Sequence, residues 1–302
     1  MALNLLTEEV KTNLSNPKVF KFKTDAQKFK INFSVNNKSA GNYPHMGISL
    51  REGIMVLFRK VQENPDDNSN ERTWYNVEAY TERFDTTVYM HHLVHPDEEY
   101  EIMIYGPVLS QIESMEIETP ENTNIEIIEN SFDKKFLVCG GLTSLGIGCT
   151  TPASIFPSIL CRKLNASVDN ITFNDKNYLN HVHDYFKKNT IEKEYDVGIL
   201  ELEYSNQDDK ITKLYLQKDI EYMSKRCKHV IAWICVPPYR EYKKDLVQDI
   251  IEDTPVDNLV FEDLSFLYDK EYSDICTYSG NFINDSGNMM IYRKLSEIIR
   301  GL

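Results

Sequence analysis

The stretch Phe136 to Thr151, FLVCGGLTSLGIGCTT, holds the residues of this chain best arranged for chemistry. An apolar run, Phe136-Leu137-Val138-Cys139, reads as a short buried strand, and Gly140-Gly141 ends it in a turn that tolerates unusual backbone angles. Hydroxyls follow at Thr143 and Ser144, then Gly146 and Gly148, and the apolar residues of Ala153 to Leu164 recur at helical spacing. Strand, glycine turn and helix in that order lay out a ligand site at the carboxyl edge of a parallel sheet. A hydroxyl there attacks an acyl carbon only with a base beside it. Ser144 or Thr143 with His181 or His183, from His181-Val182-His183-Asp184, is the pairing the residues offer. We favour the plainer reading, in which a hydroxyl caps the following turn and the histidines lie on the surface of an amphipathic helix.

The elements that would position these residues fall into two kinds. Up to about residue 130 the chain is β-rich: Lys30 to Val35 alternates, Gly53 to Phe58 is continuously apolar, and Trp74 to Tyr80, Thr87 to Met90 and Tyr100 to Tyr105 also favour strands. Polar turn segments separate them, notably Asn64 to Asn70, and no helix is evident. A β-sandwich or jelly-roll-like domain over 1–130 is expected, its last residues near Pro120 to Asn124. Over 131–302 strands and helices alternate. Strands are read at Phe136 to Cys139, Val168 to Phe173, Asp196 to Leu202, His229 to Val236 and Leu259 to Phe261. Helices are read at Ala153 to Leu164, Tyr178 to Lys188, Lys213 to Lys225, Tyr242 to Ile251 and Gly287 to Ile299. Such alternation calls for a parallel sheet covered on both faces.

Composition narrows the classes of partner. With 302 residues, of which 41% are hydrophobic, the chain can build substantial cores without disulfides. Its 47 acidic and 33 basic residues leave a net charge of −14, which disfavours nucleic acid. Six cysteines with no CxxC pair, and an amino terminus unlike a secretory signal, point to reduced thiols in the cytoplasm. No apolar run is long enough to span a bilayer.

Gly140 to Gly146 resembles the first block of the SGNH (GDSL-type) hydrolases, a strand followed by Gly-Asp-Ser-x-Thr-x-Gly. Gly140 and Gly146 match its glycines, Gly141 stands for the aspartate, Leu142 for the nucleophilic serine and Ser144 for the threonine. The second block falls at Asn170-Ile171-Thr172, with Thr172 in place of an oxyanion-binding glycine. The third falls at Tyr204-Ser205-Asn206, so Asn206 is implied as an oxyanion donor. The last, Asp-x-x-His, falls at Ser279 to Phe282, so Ser279 replaces the acid and Phe282 the general base. The resemblance implies a flavodoxin-type α/β/α domain, and a β-rich domain ahead of it is similar to the arrangement in carbohydrate esterase family 2. Loss of nucleophile, base and acid together would remove the whole relay.

Other candidates read as structural. Cys139 lies inside the apolar strand, where a thiol stays inert. His91, His92 and His95 lack a placed acidic partner, and neighbours in a strand point to opposite faces, so no metal is expected. Arg240, after Pro237-Pro238, reads as solvated. No cofactor is expected. The leading expectation is a degenerate SGNH-like protein that binds an acylated or sugar-like small molecule, or a protein partner, in a cleft of Gly141, Leu142, Thr143, Ser144, Thr172, Asn206 and Phe282. The alternatives are an active acylhydrolase or acyltransferase using Ser144, and a structural or assembly protein.

Overall fold

The computed structural model describes residues 2–4, 17–36, 45–61, 73–82, 85–173, 178–188, 194–202, 209–238 and 242–302. They fall into two compact units, one of Pro17–Ser131 with residues 2–4 and Thr150–Ala153, the other of Phe132–Cys149 and residues from Ser154 onward.

The first unit is a β-sandwich. One antiparallel sheet has the order β1 (Ala2–Asn4), β8 (Gln111–Glu118), β3 (Lys28–Asn36), β6 (Thr87–Tyr89). The other runs β5 (Tyr75–Thr81), β4 (Gly53–Lys60), β7 (Tyr100–Tyr105), β2 (Val19–Thr24), β9 (Ile125–Ile127). Except for the β4–β5 pair, successive strands from β2 to β9 change sheet, as in a jelly roll. Period-2 alternation makes this possible: β8 buries Ile112, Met115 and Ile117 and exposes the polar residues between them. They meet Ile54, Val56, Ile102 and Ile104 of the other sheet in one core.

The second unit has a five-stranded parallel sheet, ordered β11 (Ala166–Thr172), β10 (Lys134–Gly140), β12 (Tyr195–Glu201), β13 (Cys227–Ile234), β14 (Leu259–Asp263). Its strands are apolar on both faces, because both are covered. Phe136, Val138, Ile199 and Trp233 pack under α3 (Phe156–Leu164) and α8 (Asp285–Gly301). Leu137, Cys139, Leu200 and Val230 pack under α4 (Tyr178–Lys188), α5 (Asp209–Ser224) and α6 (Tyr242–Glu252). This is the α/β/α architecture of the flavodoxin type, preceded by a β domain.

The structure revises several boundaries. The helix read from Ala153 begins at Phe156, where extended Ile155 stands at the N-cap and Pro157 occupies the first turn, a position that needs no N–H donor. The closing helix starts two residues before Gly287, because the Asn284 side chain caps it by accepting from the Gly287 N–H. In the first unit a short α1 (Ile48–Glu52) forms where no helix was expected, and β8 and β9 add strands beyond those read. His91 and His92 lie in an exposed turn, in keeping with the loop read there, but their rings meet edge-on at 5.1 Å between centroids instead of pointing to opposite faces. The expected loop Asn64 to Asn70 and Arg240 lie outside the described residues. Among the described residues no helix is long and apolar enough to cross a membrane, and no group of three His, Cys, Asp or Glu could hold a metal ion.

Candidate functional site

Gly140 ends β10 in register with Thr172 of β11, so the glycine turn sits at the carboxyl edge of the parallel sheet. Gly141 leads into one helical turn, α2 (Leu142–Leu145), which Gly146 closes in the left-handed conformation at φ 86°. Four residues cannot satisfy their own amino-terminal N–H groups, and here a side chain does it. The Glu201 carboxylate, 2% exposed, accepts from the N–H groups of Gly141 at 3.1 Å, Thr143 at 3.2 Å and Ser144 at 2.9 Å. A buried carboxylate is tolerable only with such donors, and the positive end of the short helix adds to them. From the other neighbouring strand, the buried Asn170 amide donates to the Ser144 carbonyl at 3.2 Å. Sequence reading missed Glu201; its signal was a lone acid in the otherwise apolar run Val197 to Leu202.

Close packing explains Gly140. A Cβ there would lie 2.5 Å from both Glu201 Oε2 and Ser144 Oγ. Ser144 itself is wholly buried and its hydroxyl has no hydrogen-bond partner among the described residues. Neither His181 nor His183 is therefore bonded to it. His181 stacks on Phe173 at 5.2 Å between ring centroids, and His183 Nδ1 lies 3.1 Å from Asp219 Oδ1. Burial pushes the Cys139 thiol well above its ordinary pKa. Asn206 lies outside the described residues.

The far block does reach the turn. Gly148 has φ 106°, and a Cβ on it would lie 2.5 Å from the Ile283 carbonyl oxygen and 3.1 Å from Phe282 Cβ. Phe282 is half-buried there. It belongs to a tight hairpin, β15 (Thr277–Tyr278) with β16 (Phe282–Ile283), in which Asn281 N–H donates to Tyr278 O at 3.2 Å. Ser279 and Gly280 both have positive φ, 56° and 68°, as a type I′ turn requires. Asn288, wholly buried at the start of α8, holds the parts together: its amide donates to Cys149 Sγ at 3.0 Å and its oxygen accepts from Phe156 N–H at 2.9 Å.

The structure thus brings Gly141, Leu142, Thr143 and Ser144 into one turn, with Thr172 in register with Gly140 and Phe282 against Gly148, and bonds neither His181 nor His183 to the Ser144 hydroxyl. Leu142 in the turn and Phe282 beside Gly148 are both half-buried and apolar. The Ser144 hydroxyl has no base bonded to it among the described residues.

No family model and no curated protein sequence matches the chain. Solved structures do. One is a protein from Bacteroides ovatus ATCC 8483 described as a GDSL-like lipase, with 16% identity, a TM-score of 0.68 and coverage of 93% of this chain and 83% of that one. Another is the salicylyl-acyltransferase SsfX3 from a tetracycline biosynthetic pathway, with 12% identity, TM-score 0.63 and coverage of 93% and 81%. A third is a family two carbohydrate esterase from Cellvibrio japonicus, with 8% identity, TM-score 0.62 and coverage of 99% and 94%. At such identities the likeness shows the fold.

Proposed function

We propose that this chain, which has the SGNH-hydrolase fold with an added β domain, has given up ester hydrolysis and binds an acylated or sugar-like small molecule at the old nucleophile turn. The observation that carries this reading is the pairing of a preserved frame with absent chemistry. Glu201 holds the turn through three N–H groups, while the residue that would attack is Leu142. A serine needs a base to act as nucleophile, and the base position is Phe282, packed beside Gly148. Leu142 and Phe282 would instead receive an apolar part of a ligand, with the glycine-rich backbone giving close approach. That the solved proteins of this fold include esterases and an acyltransferase favours an acyl-bearing ligand. Six free, buried cysteines suit a cytoplasmic setting.

The test uses p-nitrophenyl octanoate and a serine-reactive fluorophosphonate on wild type, Ser144→Ala and Phe282→Glu. We expect no stoichiometric labelling, no turnover above background, and calorimetric binding of the ester that Phe282→Glu abolishes. Labelling lost in Ser144→Ala would establish catalysis by a displaced residue and overturn the proposal. Absence of binding to this ester and to acetylated xylo-oligosaccharides would instead favour a protein partner or a structural role.

A further inference from the structure

Two helices that follow the site strands are joined by a buried ionisable pair which the site does not use. Helix α4 follows β11, the strand of Asn170 and Thr172, and α5 follows β12, the strand of Glu201. Their packed faces are apolar, with Val182 and Phe186 from α4 and Leu216, Ile220 and Met223 from α5. Among these, His183 Nδ1 of α4 meets Asp219 Oδ1 of α5 at 3.1 Å. Asp219 is 0% exposed and its Oδ2 has no hydrogen-bond partner among the described residues. The Tyr215 ring lies 4.9 Å and the Tyr222 ring 6.0 Å from the imidazole. The charges that act on His183 are Lys218 of α5 and Asp184 and Lys187 of α4, and from the sheet Cys139 of β10 feels Asp219.

A buried carboxylate anion with one acceptor contact and a second oxygen unpaired carries an uncompensated desolvation cost. A protonated acid donating to a neutral imidazole fits the same geometry with one good hydrogen bond and no net charge. We propose that Asp219 and His183 form a neutral, proton-holding latch between α4 and α5 that loosens as rising pH ionises Asp219. Both groups lean the required way: burial raises the Asp219 pKa well above the ordinary carboxylate value, and burial followed by Lys218 lowers that of His183.

The signs follow from linkage. A carboxyl whose folded pKa is raised contributes stability that is full below its unfolded pKa, about 3.9, and is lost as pH rises through the folded value. A histidine whose folded pKa is lowered contributes stability that is full above its unfolded pKa, about 6.5, and lost as pH falls through the folded value. The latch is therefore weakened from both sides, by Asp219 at higher pH and by His183 at lower pH. Asp219→Asn keeps shape and hydrogen bonding without a titrating proton.

Urea unfolding of wild type and Asp219→Asn should be compared across pH 4 to 9. We expect the ratio of their unfolding constants to change with pH, by up to tenfold per pH unit where Asp219 titrates only in the unfolded chain. Amide-exchange protection of α4 and α5 in the wild type should fall over the same rise. Parallel pH profiles for the two proteins would overturn the latch. A carboxyl carbon chemical shift for Asp219 typical of an ionised acid at pH 6 in wild-type protein would overturn it as well, even if the variant does not fold.

Discussion

Glu201 is the residue on which the candidate site depends, and it binds no ligand in this reading. Its carboxylate stands where the N–H groups of the turn would otherwise be left without acceptors. Glu201→Leu removes that acceptor while keeping bulk, and each buried N–H left unsatisfied costs about 1–3 kcal/mol. Urea denaturation should show a loss of about 3 kcal/mol or more for Glu201→Leu, and a smaller one for Glu201→Gln, whose single amide oxygen still accepts. Equal losses would mean that the carboxylate does not hold the turn. At this scale the sequence was legible in part. The glycines, Leu142 and Phe282 could be placed from the spacing of the blocks, because they form one local turn and one helix start. Glu201 could not, because its partners lie about sixty residues away and only the sheet register brings them together.

Among the elements, the hairpin β15–β16 carries the clearest strain. Ser279 holds a left-handed conformation at φ 56°, which costs a residue with a Cβ about 1–2 kcal/mol that glycine avoids. Glycine in turn loses about 0.5–1 kcal/mol of chain entropy on folding. Ser279→Gly should therefore raise stability by about 0.5 kcal/mol, read as a small increase in Tm, and leave ligand binding unchanged. A decrease would show that the serine hydroxyl contributes more than its backbone costs. The helices and parallel strands of the second unit were readable in advance, since α4 and α6 have sharp apolar periodicity and β10, β12 and β13 are continuous apolar runs. The hairpin was not. Two-residue strands have no period to detect, and its turn places a serine where Asn or Gly is the familiar signal. Likewise β8 lacks a clear strand signal, because its bulge against Ser34 and Val35 breaks the alternation with two successive exposed residues, Glu113 and Ser114.

At the scale of the whole molecule, the chain gives each unit its own core, yet the segment Thr150–Ala153 belongs to the first unit although it lies beyond β10 and α2 of the second. Ala153 is 2% exposed in a cluster with Met55, Leu57, Met103 and Tyr105. Ala153→Asp would bury an unpaired charge there and should lower the stability of the β-sandwich unit by about 3–5 kcal/mol. Protection of β4 and β7 amides against exchange should fall while that of β12 and β13 is kept; the reverse pattern would contradict the assignment of this segment. Composition and strand pattern could suggest a change of architecture near residue 130, but no local signal marks four residues that return to a core already passed.

That return sets an order of events during synthesis. A chain released up to residue 131 has the strands of the β-sandwich, but the cluster of Met55, Leu57, Met103 and Tyr105 lacks its member Ala153 until about twenty more residues have left the ribosome. By then β10 and the glycine turn have also emerged, so this second cluster, on the alternate residues of β4 and β7 that the sandwich core does not use, is completed only when the strand that leads into the candidate site is already present.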